Sequence, residues 1–538
     1  MLHEGARTRF ILSGLTRAVE LLFSIRQGDP LAMILYIIYI EPLLRALERR
    51  MSGMKIANFI EQKLEAYCDD INITTDNLGD FDVVESVVKK FEMVSGAILS
   101  RDKKCKVIGL GNWASKKDWP LVWIKAVKHE KIFGVFVSDS YDEMLKLNWD
   151  HRYKKFSNVL YSWSHRVLDT LQQRVEVIKM FGLSRVYYVA AILPINAAMV
   201  KKFETLMGKF IWNWSGKILR VAIDEIKNKK LEGGLQLPCL STMADALIFS
   251  QCIRLIKSED SKSLQHLKFW IGDSVEAVMK GSGSAVLPGT GSAMLAGTGI
   301  AVLPGTGSAV LPGTGSAGLP WSGGRVTAAG FPEYFKHVAG IFEDMLTSEV
   351  VTDKSIRSIT NKAVYADMTS SLPPPKVVME GDKDYSVVWG RLHSPVVDYR
   401  ARDVMYLLLH NKLPVQERLF RIRLRADPYC LYCVGAEIGD AVHFFCTCRK
   451  VSDTWSWVKR QVITQVGRDT ADWDVINMFF PKSRHDKEIV WMLTHYVLYV
   501  WENVHVKESD VKLDQFIGYL KFKYKESQIK LNDLQIFI

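Results

Sequence analysis

Asp69-Asp70 and the group Cys430, Cys433, His443, Cys446 and Cys448 are the residues whose types and spacing suit chemistry. Adjacent carboxylates on a tight turn can point together at a hard cation, and magnesium takes oxygen ligands together with substrate phosphates. An Asp pair is equally ordinary turn chemistry, because Asp bonds its own backbone there. Cys430-x2-Cys433, nine intervening residues, His443, then Cys446 and Cys448 offer thiolates and an imidazole at a compact spacing that suits tetrahedral zinc. The alternative is a set of buried, unmetallated thiols in a helical domain. Cys68, Cys105, Cys239 and Cys252 are scattered, and without a secretion signal the C-terminal cluster points to metal before disulfides. A third group places basic residues near aromatics, in Lys201–Lys217 and Lys227–Lys230. Such a surface can track phosphates while rings stack on bases, or it is a solvated helix face over a Trp-rich core. His129, His151, His165 and His393 show no catalytic spacing, and the sequence carries no Gly-rich phosphate loop or nucleophile elbow.

The elements around these residues decide what they can reach. Short strands, LEAY and INITT, bracket Cys68, Asp69 and Asp70, which predicts both acids at a hairpin tip. Upstream, Arg9–Leu12 and Ala18–Ile25 around Ser13-Gly14 predict another hairpin. A helix follows, with Asp29 as its cap, Pro30 in its first turn and Leu31, Leu35, Ile38, Leu43, Leu44 and Leu47 as its buried face. Pro42 is expected to bend it or end it early. Downstream, Val83, Val84, Val87, Val88 and Phe91 predict a helix from about Asp82 to Val94, stopped by Ser95-Gly96, and a strand follows around Val107–Leu110. This order predicts an α+β sheet domain. From about Trp149 to Ile256, and again from 331 to 538, the patterning is mostly helical, and the cysteine cluster lies in the second region.

With 538 residues the chain has room for about three domains. At 48% hydrophobic and 24% charged residues it is not a disordered composition, and a formal charge of +11 fits a polyanionic partner such as nucleic acid. The N-terminus MLHEGARTRF lacks the apolar run of a signal peptide, and Leu31–Ile40 is too short to span a membrane. The expectation is a soluble intracellular protein, not secreted, in the nucleus or cytoplasm, with no membrane partner. A tandem octapeptide starts at Gly283 (GSAVLPGT, GSAMLAGT, GIAVLPGT, GSAVLPGT) and ends in a remnant at Pro320. Units this rich in Gly, Ser, Thr and Pro have no face to bury, so they read as a linker or an expanded repeat translated in frame.

Taken in succession, Arg26-Gln27-Gly28-Asp29-Pro30-Leu31, Tyr67-Cys68-Asp69-Asp70, Ser95-Gly96 with Lys103 and Lys104, and Lys131-Ile132-Phe133-Gly134 resemble the reverse transcriptase domain of non-LTR (LINE-type) retrotransposons. Gly233-Gly234-Leu235 with Pro238 resembles the region after the polymerase thumb in these elements. Leu413-Pro414, the C-x2-C and the later HFFCTC with Trp455 resemble their closing zinc-binding segment. The resemblance implies a partial palm (sheet with packed helices) over 1–140, a helical thumb and connection over 141–265, the repeat linker over 266–330, and a mostly helical C-terminal domain over 331–538 with its zinc segment at about 400–460.

The same resemblance implies Asp69 and Asp70 as catalytic carboxylates for magnesium or manganese, and Lys103 near the incoming phosphates with Lys104 as the fallback. It implies Arg26, Gln27, Gly28 and Tyr67 as substrate-binding residues, and Cys430, Cys433, His443 and Cys448 as zinc ligands with Cys446 spare. The partners would be an RNA template and a DNA primer. Departures from the pattern are Ser24 for Gly, Cys68 for Ala, Ser100 for Asn and Phe133 for Leu. The family's first catalytic aspartate has no counterpart, since none of Glu4, Glu20, Asp29, Glu41, Glu48 and Glu61 follows a plausible palm strand. Two-metal phosphoryl transfer needs carboxylates from both strands. The expectation is therefore a retrotransposon-derived RNA-directed DNA polymerase fragment, N-terminally truncated and inactive alone. The alternatives are a non-catalytic nucleic-acid-binding protein, or a decayed open reading frame.

Overall fold

The computed structural model describes residues 31–56, 60–68, 70–101, 105–213, 221–258, 262–280, 332–346, 348–352, 359–370 and 385–526, with a few short strands elsewhere. In chain order these begin with β1 (Arg7–Thr8) paired antiparallel to β2 (Val19–Glu20), then α1 (Ala32–Arg50), β3 (Met54–Ile56) and β4 (Ile60–Gln62). Next come β5 (Leu64–Tyr67), β6 (Asp70–Ile73), α2 (Gly79–Ser95), β7 (Lys106–Val107), β8 (Lys125–Ala126), β9 (His129–Ile132) and β10 (Val135–Ser138). The helices α3 (Tyr141–Ser164), α4 (Leu171–Val177), α5 (Ala197–Ile211), α6 (Leu240–Lys257) and α7 (Lys262–Lys280) follow. The octapeptides lie outside the described residues apart from β11 (Ala309–Val310), which pairs with β12 (Arg325–Val326). The C-terminal part holds α8 (Glu333–Leu346), α9 (Asn361–Ser370), α10 (Ser386–Leu392), α11 (Tyr399–Leu409), α12 (Gln416–Arg421), α13 (Ser452–Val466), α14 (Asp472–Ile476), α15 (Asp486–Val500) and α16 (Leu513–Glu526). The protein is thus mostly helical with small sheets, an α+β chain. No helix among the described residues is long and apolar enough to cross a membrane.

Two compact units share these elements: residues 1–148, 252–347 and 351–357 form one, and 149–251, 348–350 and 358–538 form the other. In the first, Leu43, Leu47 and Met51 on and after α1 pack with Val87 and Val88 of α2. Helix α1 runs through Pro42 to Arg50 rather than ending early. The N–H that proline lacks would have met the Ile38 carbonyl, and Ile38 sits on an exposed face where water can serve instead. The expected buried stripe is correspondingly shorter: Leu43 and Leu47 are buried, whereas Leu31 and Ile38 are exposed. Gly96 stops α2 as expected, with φ +71° and its N–H donating to the Glu92 carbonyl. Asp80 in the first turn of α2 is buried and accepts from Ser52 N (2.8 Å), Gly53 N (2.9 Å) and Thr75 Oγ1 (2.6 Å). The strands pair two by two: β3 with β4, β5 with β6, β9 with β10, and β7 parallel to β8. Among the described residues they do not join into the single sheet the sequence suggested.

Among the described residues the second unit is mainly helical, and it draws on both sides of the octapeptide region. Thr170 caps α4 in a reciprocal box with Gln173, and Asn196 caps α5. Residues from 149–251 meet those from 358–538 directly. Leu171 N donates to Asp403 Oδ2 (2.8 Å), Cys239 N to Tyr365 Oη (3.0 Å), and His410 Nε2 lies 2.8 Å from the Gly233 carbonyl. Gly233 has φ +82°, and a Cβ there would stand 2.8 Å from the Trp389 ring, so the Gly233-Gly234 turn needs glycine for backbone and space alike.

Candidate metal centre

The C-x2-C pair sits on a small hairpin. Tyr429 and Ile438 form an antiparallel bridge, Cys430 N donates to the Glu437 carbonyl (2.9 Å), and Gly439 N to the Pro428 carbonyl (2.9 Å). Between them the chain turns tightly enough for Tyr432 N to donate to Cys430 Sγ (3.4 Å). Gly439 lies against Gln416 at the start of α12, where a Cβ would come within 2.8 Å of Oε1. The other two groups are His443, which opens a short π-helix (His443–Thr447), and Cys448, the extended residue just after it; the helix is entered through Asp440, whose Oδ1 accepts from His443 N at 2.7 Å.

These two pieces bring Cys430, Cys433, His443 and Cys448 together, with one donor atom from each all within 4.8 Å of one another. Cys448 Sγ is 3.8 Å from both Cys430 Sγ and Cys433 Sγ, and Cys433 Sγ is 3.4 Å from His443 Nε2. Ligands placed tetrahedrally about zinc, with Zn–S near 2.3 Å and Zn–N near 2.0–2.1 Å, lie about 3.8 Å apart sulfur to sulfur and about 3.5 Å sulfur to nitrogen. The donor set suits zinc, and three of its spacings already match these values, while the full group closes to within 4.8 Å. With Nε2 as a ligand, Nδ1–H would donate to Thr447 Oγ1 (3.1 Å), with Glu437 Oε2 at 3.4 Å, and such a partner fixes the orientation of the ring. Burial pushes the Cys433 and Cys448 thiols up, and the backbone N–H groups of Arg449 and Lys450 work against it. A bound divalent cation would reverse that balance and hold both as thiolates.

Cys446 stands apart from the group. It is 2% exposed in the helical core, where burial pushes its thiol up, and the Tyr496 hydroxyl donates to the neighbouring Phe445 carbonyl at 2.6 Å. Residues the sequence did not flag hold the centre in place. Tyr432 Oη donates to the Val504 carbonyl (3.2 Å), and Lys450 Nζ lies 4.4 Å from the Tyr432 ring centre while donating to the Glu508 carbonyl (2.6 Å). Thr447 was visible as the residue one turn after His443, but not as its partner.

The acidic tip is described in part. Tyr67 pairs with Asp70 across β5 and β6, Cys68 has φ +53°, and Asp70 and Tyr67 are exposed, the latter at 70%. Phe133 (φ +46°) and Gly134 (φ +88°) turn between β9 and β10, and two successive positive φ values mark the tight hairpin turn whose twist suits the strands. The rings of Tyr67 and Phe133 meet edge to face at 6.1 Å, so the two hairpin tips adjoin. Asp69, Lys103, Lys104, Arg26, Gln27 and Gly28 lie outside the described residues. In Lys201–Lys217 the aromatics Phe203, Phe210 and Trp212 are buried, and Lys202 pairs with Asp150 at 3.5 Å. As far as Asn213, where the described part ends, that stretch is a helix with lysines outside and a core beneath.

Residues 367–455 match the family described as zinc-binding in reverse transcriptase, and the matched range contains all four clustered residues. The match relates this region to reverse-transcriptase-associated proteins and, with the Cys3His geometry, points to zinc.

Proposed function

We propose that this chain is a retrotransposon-derived, LINE-type reverse transcriptase relative whose C-terminal domain is built on a zinc ion held by Cys430, Cys433, His443 and Cys448. The observation that carries the reading is the gathering of those four donors within 4.8 Å of one another inside the matched range. The zinc is structural: four protein ligands leave no open position for a substrate. The reading extends to the first unit, where Asp69 and Asp70 would hold magnesium at a palm hairpin with Lys103 near the phosphates. Its support is the hairpin closed by Tyr67 and Asp70 and the adjoining Phe133-Gly134 tip. Its partners are template RNA and primer DNA, in keeping with a formal charge of +11.

Zinc measured in the purified full-length protein should be near one equivalent and should fall in Cys430→Ser. A metal-free protein with unchanged folding would sink the reading. In primer extension on an RNA template with magnesium, Asp69→Ala and Asp70→Ala are each expected to abolish the extension the native protein shows. Extension that persists in both variants would refute this part alone.

A further inference from the structure

Between 151 and 190 the chain carries seven Lys and Arg residues against two acids. The same stretch leaves large rings in solvent that a folded core would normally take in: Phe181 is 43% and Tyr188 is 50% exposed. Tyr188 sits on the short helix Tyr187–Ala190, and Phe181 on a π-helix, Ile178–Gly182. Gly182 lets it close on α3, since a Cβ there would stand 2.7 Å from the Phe156 ring. The π-turn's extra residue pushes Met180 and Phe181 outward while Gly182 and Leu183 stay buried, and such turns recur at functional sites.

The exposed rings are interleaved with cations. Phe181 lies 4.8 Å from Trp163, at 32° between planes, and the Arg166 guanidinium lies 4.4 Å from the Trp163 ring centre. Toward the other end of α3, the Arg152 guanidinium is 5.9 Å from the Tyr188 ring centre and donates to the Arg185 carbonyl. Arg166 and Arg185 form no ion pair among the described residues. From Arg152 to Trp163 the helix rises about 16 Å, the span of a few nucleotides.

We infer that this strip, from Arg152 and Tyr188 through Arg185 to Phe181, Trp163 and Arg166, binds single-stranded nucleic acid. Its planar rings stack on unpaired bases, and Arg166 and Arg185 sit on the backbone phosphates. A duplex keeps its bases stacked on one another and offers such rings nothing, so the strip selects single strands. Stacking and phosphate contacts do not touch the 2′-hydroxyl, so RNA and DNA strands of one sequence bind alike. The inference uses none of the zinc ligands; it deepens the function proposed above by naming where, and in which strand form, nucleic acid is held.

The test is fluorescence anisotropy of the full-length protein with a labelled single-stranded RNA, the same sequence as DNA, and the corresponding duplex. Zinc content and circular dichroism recorded on each preparation keep this result separate from the zinc reading and exclude misfolding. Phe181→Ala removes an exposed ring and should weaken single-strand binding on the order of tenfold. Arg166→Ala and Arg185→Ala should each lower the slope of log affinity against log salt by about 0.7. Three results would overturn the inference: duplex bound as tightly as single strand, a more than about tenfold preference between RNA and DNA strands, or wild-type affinity in Phe181→Ala and Arg166→Ala. Failure of the native protein to bind any of the three probes would also overturn it.

Discussion

Cys446 and Cys448 are two residues apart and face opposite chemistry. The π-helix ends at Thr447, Cys448 is extended, and its sulfur turns back to Cys430 and Cys433, whereas Cys446 is carried on the helix into the core. Sequence alone leaves both in play, because the choice depends on where the helix stops. Cys448→Ser is therefore expected to lose the zinc, while Cys446→Ala keeps it near one equivalent; metal analysis after gel filtration reads both, and the reverse pattern would show that the four donors are not the ligands. Thr447→Val keeps the shape and removes the acceptor for His443 Nδ1–H. Zinc affinity should drop by roughly 10- to 100-fold, measured by competition with a chromophoric chelator.

At the scale of elements, a buried acid joins α2 to the turn before β3. Burial pushes the Asp80 carboxyl up, but the donors from Thr75, Ser52 and Gly53 together outweigh it and hold it below the usual carboxylate range. An acid with a depressed folded value contributes its full stability above its unfolded pKa, about pH 4, and loses it as pH falls through the lower folded value. Asp80→Asn is thus expected to cost about 1–3 kcal/mol at neutral pH, with the gap to the native protein closing only below about pH 4. Hydrogen exchange of the α1 and α2 amides reports it, and a gap independent of acid would remove the carboxylate from the account.

What could be read in advance at this scale follows from how local each cause is. The hairpin at Tyr67–Asp70 and the stop at Gly96 rest on strand patterning and one glycine, and both stand where the sequence put them. The centre's hairpin was legible through C-x2-C. The buried face of α1 was not, because its stripe continues past the point where α2 covers it, and only the partner shows where burial ends. The burial of Phe203, Phe210 and Trp212 was one of two readings the sequence left open, and the exposure of Phe181 was not legible: an aromatic beside a lysine looks the same in sequence on either side of a helix. Gly233-Gly234 was visible as a motif, while its reason, the Trp389 ring and His410, lies far along the chain.

In the second unit, the zinc centre touches elements well beyond its own hairpin. Tyr432 holds the Val504 carbonyl, Val511 N donates to the Lys450 carbonyl (3.0 Å), Tyr496 holds Phe445, and Gln416 at Gly439 leads through α12 and α11 to His410 and the Gly233 turn. Much of this lies past residue 455, where the family match ends, and α15 is buried along most of its length. A metal that binds only the folded state stabilises whatever folds with it, by about 2.7 kcal/mol at a hundredfold excess over Kd. Stripping zinc with a chelator should therefore lower the thermal midpoint of the unit as one transition. Hydrogen-exchange protection should fall together in α15, in α16 and around Gly233, not only between Cys430 and Cys448. Protection lost at the hairpin alone would make the centre a local clip, and a chain cut after residue 455 would then bind zinc as tightly as the full protein. The packing of Tyr496 and Tyr432 on the later segment argues that the cut chain will bind it more weakly.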